Sequence, residues 1–247
     1  AASDVYKRQG SFNGNKNIVD ELSEGFKYTL SHNVSTMSSQ QALLTYREGH
    51  SMNAIYGLRT VGVDPQTGNR LFLDKDGNVT FAQNPADMVY LGDSQPKVQG
   101  NISTNLSYKG FLLTVGFGVR WGAKQFNATL ANKTENTQFL KNLDRRVLTG
   151  SWQKPGDIAL YKKLELTDGG TNTNVCDAFV QKDNVFQCTN INLSYNFSDK
   201  ACKKLHLKGL SLNANLSDIF YFSTIKRERG TSYPFSRNPN FSVSVSF

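Results

Sequence analysis

The segment Val98–Trp121 constrains the fold more than any other part of the chain, because its residues alternate in polarity with a period of two. Its first arm places four apolar residues on one parity: Val98, Ile102, Leu106 and Tyr108. Gln, Asn and Ser occupy the other parity. After Lys109-Gly110, the second arm places six apolar residues on one parity: Phe111, Leu113, Val115, Phe117, Val119 and Trp121. This pattern predicts a β-hairpin with one apolar and one polar face.

The length of the second arm favours a membrane sheet over a soluble one. A strand from Phe111 to Trp121, at about 3.3 Å per residue and a tilt near 40°, rises about 25 Å, the height of the apolar band of an outer-membrane barrel. Aromatic residues occur at both ends, with Tyr108 and Phe111 beside the turn and Trp121 at the far end. Aromatic rings prefer the two membrane interfaces, so this placement also fits a barrel.

The same alternation recurs towards the C-terminus in Asn190–Phe197, Leu210–Leu216 and Phe241–Phe247. Phe26–Ser35 and Asn53–Val63 are weaker strand candidates, so the chain contains about seven antiparallel strands. The terminal Phe247 resembles the assembly signal of outer-membrane barrels. We therefore predict an all-β fold, the C-terminal part of a large transmembrane β-barrel with long extracellular loops.

The connections alternate in length, as the two ends of such a barrel require. Lys109-Gly110 and Asp199–His206 are short. The long connections are Asp64–Lys97, Lys124–Asp183 and Asp218–Pro239, and strand parity counted from Phe247 places all of them outside the cell. Within the long loop, Gln138–Leu148 is predicted to be a helix, with Phe139, Leu140, Leu143 and Val147 on one stripe and Gly150 as a stop.

Composition excludes several classes of protein. The mean hydropathy of -0.45 is low, and no apolar run approaches the roughly 18 residues of a spanning helix, whereas barrel strands average to such a value. The net charge of +8 comes from Lys and Arg scattered through turns and loops, which indicates a surface facing anionic lipid rather than nucleic acid.

No residue pattern indicates catalysis, a metal or a cofactor. The three histidines, His32, His50 and His206, lack the neighbours of a known triad. The cysteines Cys176, Cys188 and Cys202 are interpreted as incidental, with a Cys176–Cys188 disulfide as the alternative. Asp74–Asn78 resembles half of a calcium loop, but the glycine comes too early, so this segment and Asp64–Gly68 are predicted to be hairpin turns.

The opening residues 1–9 look like a translated remnant of a sequencing adapter, so we expect them to be non-native and set them aside. Residues 10–247 are then the barrel portion. No signal peptide is visible, and for an exported protein we expect the true N-terminus to be missing.

Several strings, in order, resemble the SusC/RagA-type TonB-dependent transporters of Bacteroidetes. These are Gly57–Gly68, Tyr90–Val98, Ser107–Phe111, Asp144–Arg146 with Trp152–Asp157, Asn190–Tyr195 and Ile225–Phe235. The resemblance implies a barrel of about 22 strands around a plug, a SusD-like surface lipoprotein as partner, glycan or peptide substrates, and the TonB complex as energy source. It implies residence in the Gram-negative outer membrane, and it transfers no ligand-binding residue.

Two other functions remain open at this stage. A secreted β-sandwich that binds carbohydrate would also have short alternating strands, but it would bury its apolar faces against each other. A passive porin would share the barrel and lack the strings quoted above. Neither of these alternatives, nor the transporter, is an enzyme.

Overall fold

The computed structural model describes residues 5–33, 46–137, 142–165, 172–226, 228 and 237–247. Its strands and helices follow one another in this order: β1 (Val5–Asn13), α1 (Glu24–Asn33), β2 (Ala54–Gly57), β3 (Arg59–Val63), β4 (Arg70–Leu73), β5 (Val79–Thr80), β6 (Val89–Asp93), β7 (Val98–Tyr108), β8 (Phe111–Phe126), α2 (Ala128–Thr134), α3 (Arg145–Gly150), β9 (Val180–Asn196), α4 (Asp199–Lys204), β10 (Gly209–Ser223) and β11 (Pro239–Ser246). The fold is all-β, as predicted. None of the helices in the described residues is long and apolar enough to cross a membrane.

The chain divides into two compact units. The sheet unit comprises Ala1–Asn15, Pro96–Gly122 and Asp183–Phe247, and the loop unit comprises Lys16–Gln95 and Ala123–Lys182. Six strands form the main sheet, in the order β1-β7-β8-β9-β10-β11. The pairs β1–β7, β7–β8, β9–β10 and β10–β11 are antiparallel. The loop unit contains the two-stranded sheet β2–β6 and the three-stranded sheet β3–β4–β5.

The predicted β7–β8 hairpin is confirmed in full. Its strands pair without interruption from Val98 opposite Trp121 to Tyr108 opposite Phe111. Lys109 and Gly110 both have positive φ, 45° and 89°, which is the conformation of the tight turn whose twist matches that of the flanking strands. A side chain at Gly110 would also meet the carbonyl oxygen of Asn196 at 2.7 Å, so glycine is required here for space as well as for backbone geometry.

A β-bulge lengthens the next pair of strands beyond the predicted limits. The register between β9 and β10 shifts between Ser217 and Phe220, and Asp218 takes a positive φ of 51°. Beyond the bulge the pairing resumes in a shifted register, with Phe220 and Phe222 opposite Cys188 and Phe186. Strand β10 therefore continues to Ser223, where a loop from Asp218 onwards was predicted.

Two of the seven predicted strands are wrong or displaced. The described part of Phe26–Ser35 lies in helix α1. Phe26 and Leu30 fit the alternation of a strand, but they are also four residues apart, which is the spacing of one helix face. Glu24 pairs with Lys27 at 2.9 Å in the first turn of this helix. Asn53–Val63 forms two short strands, β2 and β3, outside the main sheet.

Other local predictions need smaller corrections. Residues 1–9 were expected to be non-native, but Val5–Asn13 forms a strand that pairs with β7. The origin of residues 1–9 stays a prediction. The short connection after β9 contains helix α4. The predicted helix Gln138–Leu148 is confirmed only over Arg145–Leu148, because the Asp144 side chain caps α3 and residues 142–144 are not helical; residues 138–141 lie outside the described residues. All three cysteines are free and buried, so the Cys176–Cys188 disulfide is not formed.

Candidate functional site

One face of the main sheet is apolar and uncovered. Directly opposite residues share a face, and the register brings apolar residues together across the strands: Leu106 with Leu113, Ile102 with Phe117, Leu193 with Ala214, and Leu212 with Tyr195 and Val243. Leu106, Leu193 and Leu212 expose 42%, 44% and 41% of their surface, although they lie within strands. A sheet in a sandwich would bury these side chains against a second layer.

Aromatic rings cluster at both ends of this apolar face. At one end Phe111 packs against Tyr195 with ring centroids 4.4 Å apart, and Tyr195 packs against Phe197 at 4.8 Å. At the other end, four rings form the second cluster: Phe117, Phe186, Phe220 and Phe222. Phe117 and Phe186 stack at 5.7 Å with nearly parallel planes. Phe220 and Phe222 keep the parity of Leu210–Leu216, so β10 carries the apolar face into this second cluster.

The opposite face of the sheet is built from amides and hydroxyls. Asn105 lies opposite Thr114, whose hydroxyl donates a hydrogen bond of 2.7 Å to the Asn105 side chain. Asn213 and Asn215 of β10 lie among serine and asparagine residues of β9 and β11. Gly116 opens this face, because a side chain there would meet the Thr189 hydroxyl at 2.8 Å. The glycine therefore makes room for polar side chains.

An ion pair lies on the polar face near the end of β8. Arg120 donates to the carboxylate of Asp183 at 3.2 Å, and that carboxylate also accepts a hydrogen bond of 3.3 Å from Ser223. The backbone N–H of Gly122 donates to the Asn184 side chain at 2.9 Å. These contacts fix the ends of β8, β9 and β10 relative to one another.

The loop unit has a conventional hydrophobic core. Its largest fully buried side chains include Tyr56, Leu58 and Phe179, with Phe72 and Cys176 beside them. The backbone of Leu58 ties two distant segments together, because its N–H donates to the Val175 carbonyl and its carbonyl accepts from the Asp177 N–H. Segments that were predicted to be long loops thus fold into a unit with an interior of its own.

A buried ion cluster lies beside this core and centres on Glu135. The Glu135 carboxylate pairs with the Arg70 guanidinium, and the side chains of the two residues are 0% and 5% exposed. It also accepts hydrogen bonds from the Thr173 hydroxyl at 2.7 Å and the Lys162 backbone N–H at 3.1 Å. Arg70 donates further to the Leu160 carbonyl at 2.8 Å. One carboxylate therefore joins four separate segments of the chain.

The electrostatics of this cluster follow from burial and pairing. Burial alone lowers the pKa of Arg70, but hydrogen bonding and Coulombic attraction from Glu135 outweigh it, and the pKa is raised. Burial lowers the pKa of Lys162, only partly offset by Glu165 and Glu135. Burial raises the pKa of the Cys176 thiol to about 12, so this cysteine is an inert core residue.

The two predicted acidic turns are confirmed as turns. The Asp64 carboxylate accepts hydrogen bonds from the Gln66 N–H at 3.1 Å and the Thr67 hydroxyl at 2.6 Å. Asp74 accepts a hydrogen bond of 2.8 Å from the Asn78 N–H, between β4 and β5. Hydrogen bonds to their charged forms lower the pKa of both carboxyl groups. Both carboxylates thus hold the turns, which is the role that the sequence pattern predicted.

Of the histidines considered above, His50 takes a structural place, and the side chain of His32 lies outside the described part of the chain. His50 packs against the rings of Tyr56 and Tyr90, with centroids 5.9 and 5.4 Å away. Within the described residues, no three His, Cys, Asp or Glu side chains are grouped as metal ligands. Phe247 follows the last strand and is 82% exposed; its role as an assembly signal stays a prediction. The Glu135 cluster was missed, because its members are far apart in sequence and carry no common motif.

The chain resembles known outer-membrane receptors in sequence and in fold. A TonB-dependent receptor of Formosa agariphila is 27% identical over 160 residues, which are 63% of this chain and 15% of that protein. The predicted resemblance to TonB-dependent receptors is confirmed. No family model matches the chain.

Solved structures agree with this assignment at the level of the fold. The RagAB peptide transporter aligns over 91% of this chain with a TM-score of 0.68 and 16% identity, and the RagAB peptide importer in its open-open state aligns over 98% with a TM-score of 0.71. The chain spans 24% and 26% of those two chains. The fold of this chain is therefore similar to that of a part of the RagAB transporter chains.

Proposed function

We propose that this chain forms part of the wall of an outer-membrane TonB-dependent transporter in a Gram-negative bacterium. The observation that carries the proposal is the uncovered apolar face of the main sheet, with aromatic clusters at both ends. Lipid is the solvent that accepts such a face, and interfacial rings prefer its two boundaries. The amide-lined face would then line the barrel interior. The secreted β-sandwich is disfavoured, because its apolar face would be buried.

Within this proposal the two open edges of the six-stranded sheet pair with further strands of a longer protein. Strands β1 and β11 are the edges, and every residue of both is exposed. An open edge in hydrocarbon would leave backbone groups unpaired at several kcal/mol each, so a closed barrel is required. The chain therefore transports nothing alone, and import belongs to the full-length protein.

The proposed cargo is an oligosaccharide or a peptide. Two of the structural neighbours are named as a peptide transporter and a peptide importer, which makes labelled oligopeptides the first substrates to test. The proposed partners are a SusD-like surface lipoprotein, which captures the cargo, and the TonB complex, which acts through the N-terminal region of the longer protein. No residue of this chain is assigned to chemistry, because receptors and transporters are the named relatives.

Extraction of the full-length protein tests the membrane assignment. We expect it to stay in the membrane pellet at high salt and alkaline pH, and to be released by detergent as a heat-modifiable band. A soluble sandwich would be released by salt or would never sediment. Release without detergent would therefore contradict the proposal.

Surface labelling tests the proposed orientation. A cysteine introduced at Lys133 of the loop unit should react with an impermeant thiol reagent on intact cells, whereas one at Lys203 in α4 should react only after permeabilisation. The native background is low, because all three natural cysteines are buried. The reverse pattern would place the loop unit on the periplasmic side.

A further inference from the structure

One end of the main sheet carries exposed lysines on two neighbouring connections. Five lysines share this position: Lys109 in the turn between β7 and β8, and Lys200, Lys203, Lys204 and Lys208 in the connection between β9 and β10. We name these five residues the lysine cluster. All five are exposed. Asp199 is the only acidic residue in residues 98–119 and 190–217, so this end of the sheet is strongly basic.

Hydrogen bonds hold these two connections side by side. The backbone N–H of Asn196, the last residue of β9, donates to the Gly110 carbonyl at 2.8 Å, which places the Lys109 turn against the start of the second connection. At the far side of that connection, the N–H of Lys208 donates to the carbonyl of Ser246 in β11, also at 2.8 Å. The lysine cluster therefore lies along the adjoining ends of strands β7 to β11.

Helix α4 buries one side and leaves its lysines exposed. Cys202 is 2% exposed, its thiol lies 3.9 Å from the Phe197 carbonyl oxygen, and the helix contacts β10. Lys200 and Lys204 are four residues apart, so they lie on the same side of the helix. Leu205, which follows the helix directly, is 57% exposed. Lysines beside an exposed apolar side chain are typical of a segment at the boundary between water and hydrocarbon.

The charges of the lysine cluster are uncompensated. Within the part of the chain that the structure describes, none of the five lysines forms an ion pair. Near the opposite end of β8, by contrast, Arg120 pairs with the carboxylate of Asp183 at 3.2 Å. The lysine cluster therefore presents positive charge that attracts an anionic partner.

The lysine cluster adjoins the apolar face of the sheet at an aromatic end. The amino group of Lys109 lies 5.1 Å from the centre of the Tyr108 ring, which is 48% exposed. Phe111, directly opposite Tyr108, packs against Tyr195. Apolar side chains, aromatic rings and lysines thus follow one another along the sheet. A phospholipid has the same order of acyl chain, interface and phosphate, and lysine binds phosphate through its charge and its N–H donors.

We propose that the lysine cluster binds the phosphate groups of anionic phospholipids in the membrane leaflet at this end of the sheet. This inference rests on the proposed function, because it needs the apolar face to lie in a membrane. Free phosphate and soluble polyanions share the charge of such a lipid, but they bring no acyl chain to the adjoining apolar face. Bound headgroups would fix the depth of this end of the barrel in the leaflet.

A photocrosslinking residue at Leu205 tests which lipid lies beside the lysine cluster. The full-length transporter is reconstituted into vesicles with equal amounts of phosphatidylglycerol and phosphatidylcholine, and mass spectrometry identifies the captured lipid. We expect an excess of phosphatidylglycerol, by roughly fivefold for each lysine that engages a headgroup at low ionic strength. High salt should reduce that excess, because it screens exposed charges. Equal capture of the two lipids, or capture of neither by an inserted barrel, would overturn the inference and leave the proposed function standing.

Charge variants in the same background test whether the lysine cluster causes the excess. Lys203→Gln with Lys204→Gln should lower the excess of phosphatidylglycerol roughly tenfold or more, whereas Lys203→Arg with Lys204→Arg keeps the charge and should preserve it. Lys75→Gln with Lys154→Gln, at two exposed lysines of the loop unit, is the matched control and should change nothing.

The outcomes separate this inference from the proposed function. An excess that survives the glutamine substitutions at Lys203 and Lys204, or that falls equally in the control, would contradict the inference. If those substitutions abolish binding to purified peptidoglycan while lipid capture is unchanged, the lysine cluster faces the cell wall and the inference is wrong. A transporter that inserts into no vesicle would contradict the proposed function as well.

Discussion

The main sheet and the loop unit distribute polar and apolar side chains in opposite ways. In the sheet, Leu106, Leu193 and Leu212 are exposed, while the other face carries amides and hydroxyls. In the loop unit, Tyr56 and Leu58 are fully buried, and the charges of the Glu135 cluster are buried with them. Under the proposed function, this contrast reflects two solvents: hydrocarbon around the sheet, and water around the loop unit.

The same contrast explains how each unit satisfies its backbone. The sheet has long ladders, such as the uninterrupted β7–β8 pair, which would satisfy its backbone in the proposed membrane, where hydrocarbon offers no hydrogen bonds. In the loop unit, where the strands are short, side chains supply hydrogen bonds to the backbone. The Gln83 amide both donates to the Asn172 carbonyl and accepts from the Asn174 N–H, and Asn136 does the same for both backbone groups of Thr173. Such side-chain hydrogen bonds satisfy the backbone groups of irregular segments, where water can supply the remaining partners.

The largest expected effect comes from removing the edge of the sheet. Deleting Phe241–Phe247 removes most of β11, which pairs with β10 from Gly209 to Leu216. The backbone groups of β10 would then lack partners in hydrocarbon, at several kcal/mol each, so the full-length transporter should fail to accumulate in the outer membrane. The measurement is the amount of heat-modifiable, protease-resistant barrel in outer-membrane fractions. Wild-type amounts of assembled barrel after the deletion would contradict the assignment of β11 to a barrel.

Phe247→Ser separates assembly from stability in the same experiment. Because the ring of Phe247 is 82% exposed, its loss should change the melting temperature of the assembled barrel very little. If it serves as an assembly signal, the amount of assembled barrel should fall part of the way towards that of the deletion. A lower melting temperature with a normal amount of barrel would indicate a packing role instead.

In the loop unit, the largest effect should come from neutralising the buried carboxylate. Glu135→Gln leaves the Arg70 guanidinium uncompensated in the interior, at a cost of about 3–5 kcal/mol. Glu24→Gln is the control: Glu24 is exposed in α1 and pairs with Lys27 at 2.9 Å, so its loss should change stability little. The readout is the rate at which the buried Cys176 thiol reacts in the folded full-length protein, resolved by mass spectrometry. Equal rates in both variants would mean that the cluster does not hold this unit together.

Arginine substitutions on the two faces of the sheet test whether hydrocarbon surrounds it. Val115→Arg and Leu212→Arg put a charge on the apolar face, which costs about 2–4 kcal/mol at mid-membrane and should lower the yield of inserted barrel. Thr114→Arg and Asn213→Arg lie on the polar face, where the charge stays hydrated, and should be tolerated apart from one lost hydrogen bond at Thr114. Equal damage on both faces would indicate a sheet buried on both sides, as in a sandwich.

The sequence predicts the sheet well because a strand repeats every two residues. The alternation from Val98 to Trp121 can be read without any distant contact, and the register confirms each pair. The prediction fails where a strand continues through an irregularity. β10 runs on to Ser223 across the register shift between Ser217 and Phe220, where the sequence was predicted to enter a loop at Asp218.

The loop unit could not be predicted for a different reason. Its core joins segments on both sides of β7 and β8, so residues that touch are separated by long stretches of chain. Arg70, Glu135 and Thr173 come from three segments, and each alone is an ordinary polar residue in a predicted loop. Only their burial reveals their role. The prediction for α1 failed because its window is short: Phe26 and Leu30, four residues apart, satisfy the strand and the helix period at once.

The smallest expected effect concerns Arg8, a charged residue on the apolar face. In β1, Arg8 lies opposite Thr104, near the middle of β7, and its side chain binds the hydroxyl of Tyr6. Lipid disfavours a charge at that depth. A charged residue at this position is expected if residues 1–9 are foreign to the barrel.

In a full-length transporter that carries this segment unchanged, Arg8→Leu should stabilise the inserted barrel by about 1–2 kcal/mol. This gain is less than the mid-membrane cost of an arginine, because the long side chain reaches towards the interface. Lys7→Leu is the control on the polar face, opposite Asn105, and should give no gain. Unfolding of the inserted barrel in urea measures both variants. If Arg8→Leu destabilises the barrel, the charge has a native partner in the longer protein, and β1 should be counted as natural barrel sequence from Val5 onwards.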